Sequence, residues 1–295
     1  MAEWLQYALS GITVGSIYAV VAIGFNLIFS ATGVLNFAQG EFVMLGGMTA
    51  VTLSRELRLP LPLAIAGAVL VVAVTGGLLE LAFLRRLRKH SVLQLIIITI
   101  GLSIVIREAA LHLWDEKVRA LPYFTGDECS SLRVFGAAVS PQVLWVLGVT
   151  AAAVLGLHLF LHRSLTGRAM RACASNPEAA MLAGVNISNM RTLAFALSAG
   201  LGALAGCVIS PISMTEYDMG ADLAIKGFAA AVLGGLGNPM AAVAGGLFVG
   251  LAEAFSVKFL PAALKDATAF AILVLVLCVR PHGLFRARHG GVREC

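Results

Sequence analysis

LTGRAMRACASNPEAAMLAGVNISNMR, residues Leu165 to Arg191, is a polar helical stretch set between long apolar runs. Thr166 is placed to cap a helix running through Gly167 to Ala174. Asn176-Pro177 must end that helix, because the residue before a proline avoids the helical region. A second helix then starts at once. Ser175 or Asn176 is its N-cap, Pro177 suits its first position, Glu178 complements its dipole and Gly184 is its natural stop. The prediction is a surface helix of about two turns bearing Ala179, Ala180, Met181 and Leu182. A membrane protein has little reason to build a compact polar helix pair between two spans unless something docks there.

The surrounding sequence is what makes this a membrane protein. Hydrophobic residues make up 59% of the chain and charged residues 13%, with a mean hydropathy of +0.91, against roughly 25% charged in a soluble domain. Apolar runs of about 20 residues cross a hydrocarbon core as helices, and no series of short alternating strands suggests a barrel. The predicted spans are Leu5 to Phe29, Val34 to Leu53, Leu61 to Leu84, Val92 to Leu113, Val143 to Leu161, Thr192 to Pro211, Leu223 to Leu236, Met240 to Phe259 and Leu264 to Val279. The fold class is therefore an all-α polytopic membrane protein with about eight to nine transmembrane helices. Leu223 to Leu236 is short, so it is either extended by its flanks or broken or re-entrant, and Lys226 points to an interfacial start. The N-terminal run lacks a basic leader and reads as a retained first span.

Charge sets the expected orientation. The formal net charge of +5 does not signal nucleic acid, because the basic residues cluster at the ends of apolar runs. Arg85, Arg86, Arg88 and Lys89 form one cluster; Arg163, Arg168, Arg171 and Arg191 a second; Arg280, Arg286, Arg288 and Arg293 a third. All three are expected to be cytosolic. The loops assigned to the other side carry Asp115, Glu116, Asp127 and Glu128, then Glu216, Asp218 and Asp222, and no Lys or Arg precedes Arg55. The N-terminus is expected outside and the C-terminus inside, with an even number of crossings between the second and third clusters. Trp114 to Pro141 is too short for an external domain, so residues 1–295 form a single transmembrane domain with 165–191 as its cytosolic loop. Cys129, Cys173, Cys207, Cys278 and Cys295 are scattered and are expected to be free thiols of a bacterial inner-membrane protein.

Within the spans, Gly11 with Gly15, Gly202 with Gly206 and Gly246 with Gly250 have the spacing that lets helices approach closely in lipid. Asn36, Gln39 and Glu41 sit within a predicted span and Glu253 lies deep in another, where polar side chains are costly unless they face protein or water. They are candidates for the wall of a translocation path. The competing reading is that Asn36 and Gln39 cap a broken helix and Glu41 pairs locally. Glu80, one turn from Arg85 and Arg86, reads as a solvated interfacial partner.

Enzyme chemistry finds little support. His158 and His162 share a helix face, but there is no HExxH zinc motif, no GxSxG nucleophile elbow and no GxxxxGK[ST] phosphate loop. If ATP is used, another chain must bind it.

Gly167-Arg168-Ala169-Met170-Arg171-Ala172, Asn176-Pro177-Glu178-Ala179-Ala180 and Leu182-Ala183-Gly184-Val185 resemble the cytosolic coupling region of branched-chain amino-acid ABC importer permeases, the LivH-like family. Gly15-Ser16-Ile17-Tyr18-Ala19, Gly33-Val34-Leu35-Asn36-Phe37-Ala38 with Gly40-Glu41-Phe42, Leu233-Gly234-Gly235-Leu236-Gly237-Asn238-Pro239 and Arg280-Pro281-His282-Gly283-Leu284-Phe285 carry the likeness nearly end to end. Gln39 departs from the pattern, since many members have histidine there. The resemblance implies a permease that pairs with a homologous permease subunit, docks two cytosolic ATPase subunits and receives substrate from an external binding protein. ATP and Mg would sit on those partners, with no cofactor in this chain. It also implies that Arg168, Arg171, Asn176, Pro177, Glu178, Ala179, Leu182 and Gly184 couple to the ATPase. Expected substrates are branched-chain amino acids; urea, short amides and other amino acids are alternatives within the family, and a self-contained secondary transporter or channel is the rival of another class.

Overall fold

The structure is a computed structural model that describes residues 2–87, 91–127, 130–134, 137–258, 261 and 265–279. Arg88, Lys89, Glu128, Cys129, the whole third basic cluster, the Arg280–Phe285 segment and Cys295 lie outside the described residues.

Eleven helices are present among the described residues: α1 (Ala2–Thr32), α2 (Gln39–Arg55), α3 (Leu61–Ala82), α4 (Val92–Trp114), α5 (Pro141–Arg163), α6 (Leu165–Ser175), α7 (Pro177–Leu182), α8 (Ile187–Ser213), α9 (Met219–Gly234), α10 (Pro239–Ser256) and α11 (Lys265–Val279). Between α4 and α5 the loop folds into a small antiparallel hairpin, β1 (Leu132–Val134) and β2 (Ala137–Val139), pairing Leu132 with Val139. α1, α4, α5, α8 and α10, and α3 with the turn that follows it, are long and apolar enough to cross a membrane.

Contacts fix the direction of each helix. The start of α1 meets the end of α10 through Trp4 and Phe255, whose rings are 5.9 Å apart. The end of α1 meets the α9–α10 turn, where Gly237 N donates to Asn26 Oδ1 at 2.6 Å. The end of α3 meets the start of α8 through Thr192, whose hydroxyl donates to Glu80. Trp114, ending α4, donates to Thr52 near the end of α2 at 2.7 Å. One end of the bundle therefore carries the hairpin, and the other carries α6 and α7. From the helix-pair end, α8 runs to the hairpin end, α9 returns, α10 goes back and α11 returns again.

Central α1 is buried from Ile17 through Ile28, against α8, α9 and α10. Phe25 anchors an aromatic triangle with Phe37 and Phe228, at centroid distances between 5.5 and 6.2 Å. Glycine is needed where helices touch backbone to backbone. A Cβ on Gly246 would lie 2.3 Å from Ala19 N, and one on Gly206 only 1.9 Å from Val43 O. These contacts let dispersion and packing hold α1 to α10 and α2 to α8 where the hydrophobic effect is weak. On the periphery, Leu93, Ile97, Val105 and Leu155 are exposed, as suits surfaces solvated by lipid.

Three local expectations are corrected. Val34–Ala38 is an irregular segment rather than the start of a span, because Asn36 Oδ1 accepts from Ala38 N at 3.1 Å and turns the chain before Gln39 opens α2. Lys226 is not at an interfacial helix start: α9 begins at Met219, and Lys226 lies in its interior. α9 is one continuous helix of 16 residues, extended by its N-terminal flank and stopped at Gly235, whose φ of +108° suits a residue without a Cβ. Finally, Glu80 is 2% exposed and accepts from Thr192 of α8; α3 packs on α8 at this face, so the carboxylate is bound inside the protein.

Candidate functional site

Three polar constellations stand out against the apolar bundle. The first is the helix pair. Its cap is Ser164, not Thr166: Ser164 Oγ accepts from Gly167 N at 2.8 Å, so α6 starts a residue before the predicted cap. Gly167 permits close contact with α5, since a Cβ there would lie 2.2 Å from Phe160 O. Arg171 Nε donates to Leu161 O at 2.9 Å, and Met170 and Cys173 turn inward. Burial pushes the Cys173 thiol up from its ordinary pKa, with the nearby Arg191 charge opposing.

Asn176 caps α7 by accepting from Ala179 N at 3.0 Å, and Pro177 occupies the first helical position. At the other end Gly184, at φ +84°, closes a Schellman motif: Gly184 N donates to Met181 O and Val185 N to Ala180 O, both at 3.0 Å. Ala180 is buried and Glu178 and Ala179 are exposed. The pair presents Leu165, Met181 and Leu182 at 79%, 61% and 88% exposure, with Arg168 exposed nearby. A two-turn helix this well capped keeps its apolar tip in a defined place.

In the middle of the bundle lies the second constellation. Gln39 is fully buried: Ser198 Oγ donates to its Oε1 at 2.6 Å, and its Nε2 donates to Ser198 O at 3.2 Å. Gly24 makes room, because a Cβ there would lie 2.1 Å from Gln39 Nε2. Glu41, two residues on, has Oε1 accepting from Ser103 of α4 at 2.8 Å, while its buried Oε2 has no hydrogen-bond partner among the described residues. Gly220, in the first turn of α9, lies over that oxygen. Asn36 and Gln39 thus hold the entry into α2, and Glu41 joins α2, α4 and α9.

Toward the hairpin end is the third. Glu253 of α10 is 1% exposed, and its Oε1 lies 3.1 Å from Lys226 Nζ and 3.2 Å from Lys265 Nζ. Tyr18 of α1 donates its hydroxyl to Oε2 at 2.7 Å. Four helices meet at one carboxylate. Sequence reading singled out Glu253 but not Tyr18 or Lys265, and it misplaced Lys226; the available signal was a lysine inside an apolar segment, which demands a counter-ion. The four path candidates do not share one cavity: Asn36, Gln39 and Glu41 gather near the α2 start and Glu253 stands apart.

His158 and His162 stack with ring centroids 4.1 Å apart. Among the described residues no group of three His, Cys, Asp or Glu side chains is arranged to hold a metal.

The sequence matches the family described as "Branched-chain amino acid transport system / permease component" over residues 7–277. It is 36% identical to the high-affinity branched-chain amino acid transport system permease protein BraD of Pseudomonas aeruginosa, covering 96% of this chain and 95% of that protein. It is 33% identical to the corresponding permease protein LivH of Salmonella typhimurium, covering 95% of each. Among solved structures it is similar in fold to a chain of PsaBC from Streptococcus pneumoniae in complex with Fab, with a TM-score of 0.50 and 16% identity over 95% of this chain and 92% of that one.

Proposed function

This chain belongs to the family of permease components of branched-chain amino acid transport systems, and from that premise we propose that it is the transmembrane subunit of an ATP-binding-cassette importer for branched-chain amino acids. It is a single transmembrane domain in the bacterial inner membrane, with the start of α1 on the periplasmic side and α6, α7 and the C-terminus on the cytosolic side. A homologous permease subunit pairs with it. Two ATPase subunits, carrying ATP and Mg, dock from the cytosol, and an external binding protein delivers the substrate.

The observation that carries this reading is the helix pair. Its exposed Met181 and Leu182 lie beside Glu178, and Arg171, Gly167 and the Schellman turn root the pair on the ends of α5 and α8. An apolar tip held this way suits a protein groove, and closure of the ATPase subunits on α7 would reach the bundle through α6 into α5 and through Val185 into α8. Arg168, Arg171, Asn176, Pro177, Glu178, Ala179, Leu182 and Gly184 are the coupling residues. Of the path candidates, Asn36 and Gln39 shape the α2 start, while Glu41 and Glu253 border the α9 seam along which substrate moves.

The test is reconstitution in proteoliposomes with the partner permease, ATPase and binding protein. Leucine uptake should require ATP and the binding protein, and Leu182→Asp should abolish co-purification of the ATPase while leaving the permease folded. Uptake driven by an ion gradient through this chain alone would overturn the proposal.

A further inference from the structure

A cavity of about 320 Å³ opens beside the Glu253 network at the hairpin end of the bundle, at the small end of the roughly 300–1,000 Å³ typical of ligand cavities. Three helices feed it in register, and Lys265 of α11 completes the lining. Val14, Ile17 and Tyr18 come from one face of α1, Ile209 and Ser213 from one face of α8, and Met219, Asp222, Leu223 and Lys226 from one face of α9. Its chemistry is divided. Ile17, Ile209 and Leu223 give it an apolar side, Glu216, Asp218 and Asp222 line it with carboxylates, and Lys226 and Lys265 line it with ammonium groups.

We propose that this cavity is a substrate subsite for an aliphatic α-amino acid, with its ammonium at Asp218 and Asp222, its carboxylate at Lys226 and Lys265, and its branched side chain against Ile17, Ile209 and Leu223. The assignment rests on the importer reading and names a place on its path. A simple cation would have no use for the lysines or the apolar wall, and a simple anion none for the aspartates. A zwitterion with a hydrocarbon branch uses all three. Glu253 keeps the two ammonium groups in position from behind, and each ammonium carries three donors, so a substrate carboxylate adds an acceptor to an ordered group. The subsite also borders the Glu41 constellation: in α9, Met219 lines the cavity while the adjacent Gly220 covers Glu41.

The assigned transporter, complete with its partners and reconstituted in proteoliposomes, tests this. Leu223→Trp fills the apolar wall and should lower leucine uptake by about tenfold or more at saturating loaded binding protein, while binding-protein-stimulated ATP hydrolysis persists. Asp222→Asn removes one charge-assisted partner and should lower uptake by roughly tenfold. Independently, Ser213→Cys should be modified by an impermeant thiosulfonate in the assembled transporter, and trapping leucine on the path with a non-hydrolysable nucleotide should slow that modification. If wild type takes up leucine but both substitutions leave the ratio of uptake to hydrolysis unchanged, or leucine leaves Cys modification at 213 unchanged, the subsite is wrong and the importer reading stands. If wild type shows no ATP-dependent uptake of any branched-chain amino acid, the importer reading itself fails.

Discussion

Glu253→Gln isolates the electrostatic cost of the four-helix junction, since it removes a charge and almost no volume. In the native protein one carboxylate, 1% exposed, balances two ammonium groups at 3.1 and 3.2 Å and accepts the Tyr18 hydroxyl. The two lysines are not equivalent. Lys226 has 11% of its side chain exposed and Lys265 has 42%, so water screens the second far more than the first. An exposed pair contributes about 0–1 kcal/mol, whereas removing one partner of a buried pair costs about 3–5 kcal/mol because the other charge is left uncompensated. The Lys226 pair therefore dominates; because Lys226 also lies over the Tyr18 ring, its charge is only partly uncompensated in Glu253→Gln, which should destabilise the protein by about 2–3 kcal/mol. Equilibrium unfolding in lipid nanodiscs provides the assay, run as a double-mutant cycle with Lys226→Met. Once Lys226 is neutral, Glu253→Gln should cost far less, giving a coupling energy of about 1.5 kcal/mol or more. A Glu253→Gln variant within about 0.5 kcal/mol of wild type, or additive losses in the cycle, would refute the reasoning.

Glycine contacts make a second prediction: Gly246→Leu should cost about 3 kcal/mol or more in the same unfolding assay, since even its Cβ meets the Ala19 backbone, while Gly101→Leu, with nothing within 4 Å, should be near neutral. Gly184→Val forces a β-branched residue to φ +84° and should lower uptake per ATP hydrolysed, with membrane insertion intact on fractionation; an unchanged coupling ratio would count against α7 as the transmitting element. Cys173 should react with maleimide at pH 7.5 more slowly than a free thiol, because its raised pKa leaves less thiolate, and the rate should climb as pH rises; a rate equal to glutathione's would show that α6 does not shield it.

Much of the bundle was legible from local signals. Leu61 to Leu84 anticipated α3 at Leu61–Ala82, and Val92 to Leu113 anticipated α4 at Val92–Trp114, because run length and flanking charge report the span directly. Asn176, Pro177 and Gly184 behave as their backbone chemistry requires. The Thr166 assignment missed because Ser164, just upstream, offers the same hydroxyl chemistry and reaches Gly167 N first. Within the candidate sites, the unusual residues were visible but their partners were not. Glu80 looked solvated because Arg85 and Arg86 are its sequence neighbours, and nothing local indicated Thr192.

What the sequence by itself determined is therefore what is set within about one helical turn or one apolar run: that the helices exist and roughly where they lie, and which polar residues must find partners. Only the tertiary structure decided who those partners are. Tyr18 meets Glu253 across 235 residues, Ser198 meets Gln39 across 159 and Thr192 meets Glu80 across 112. Such pairings depend on the rotation and height at which helices pack. Those are set by backbone contacts such as Gly246 on Ala19 and Gly206 on Val43, and a hydropathy run says nothing about them. The polar helix pair announces itself in one reading of residues 165–191; the charged cavity at the other end exists only because four helices converge.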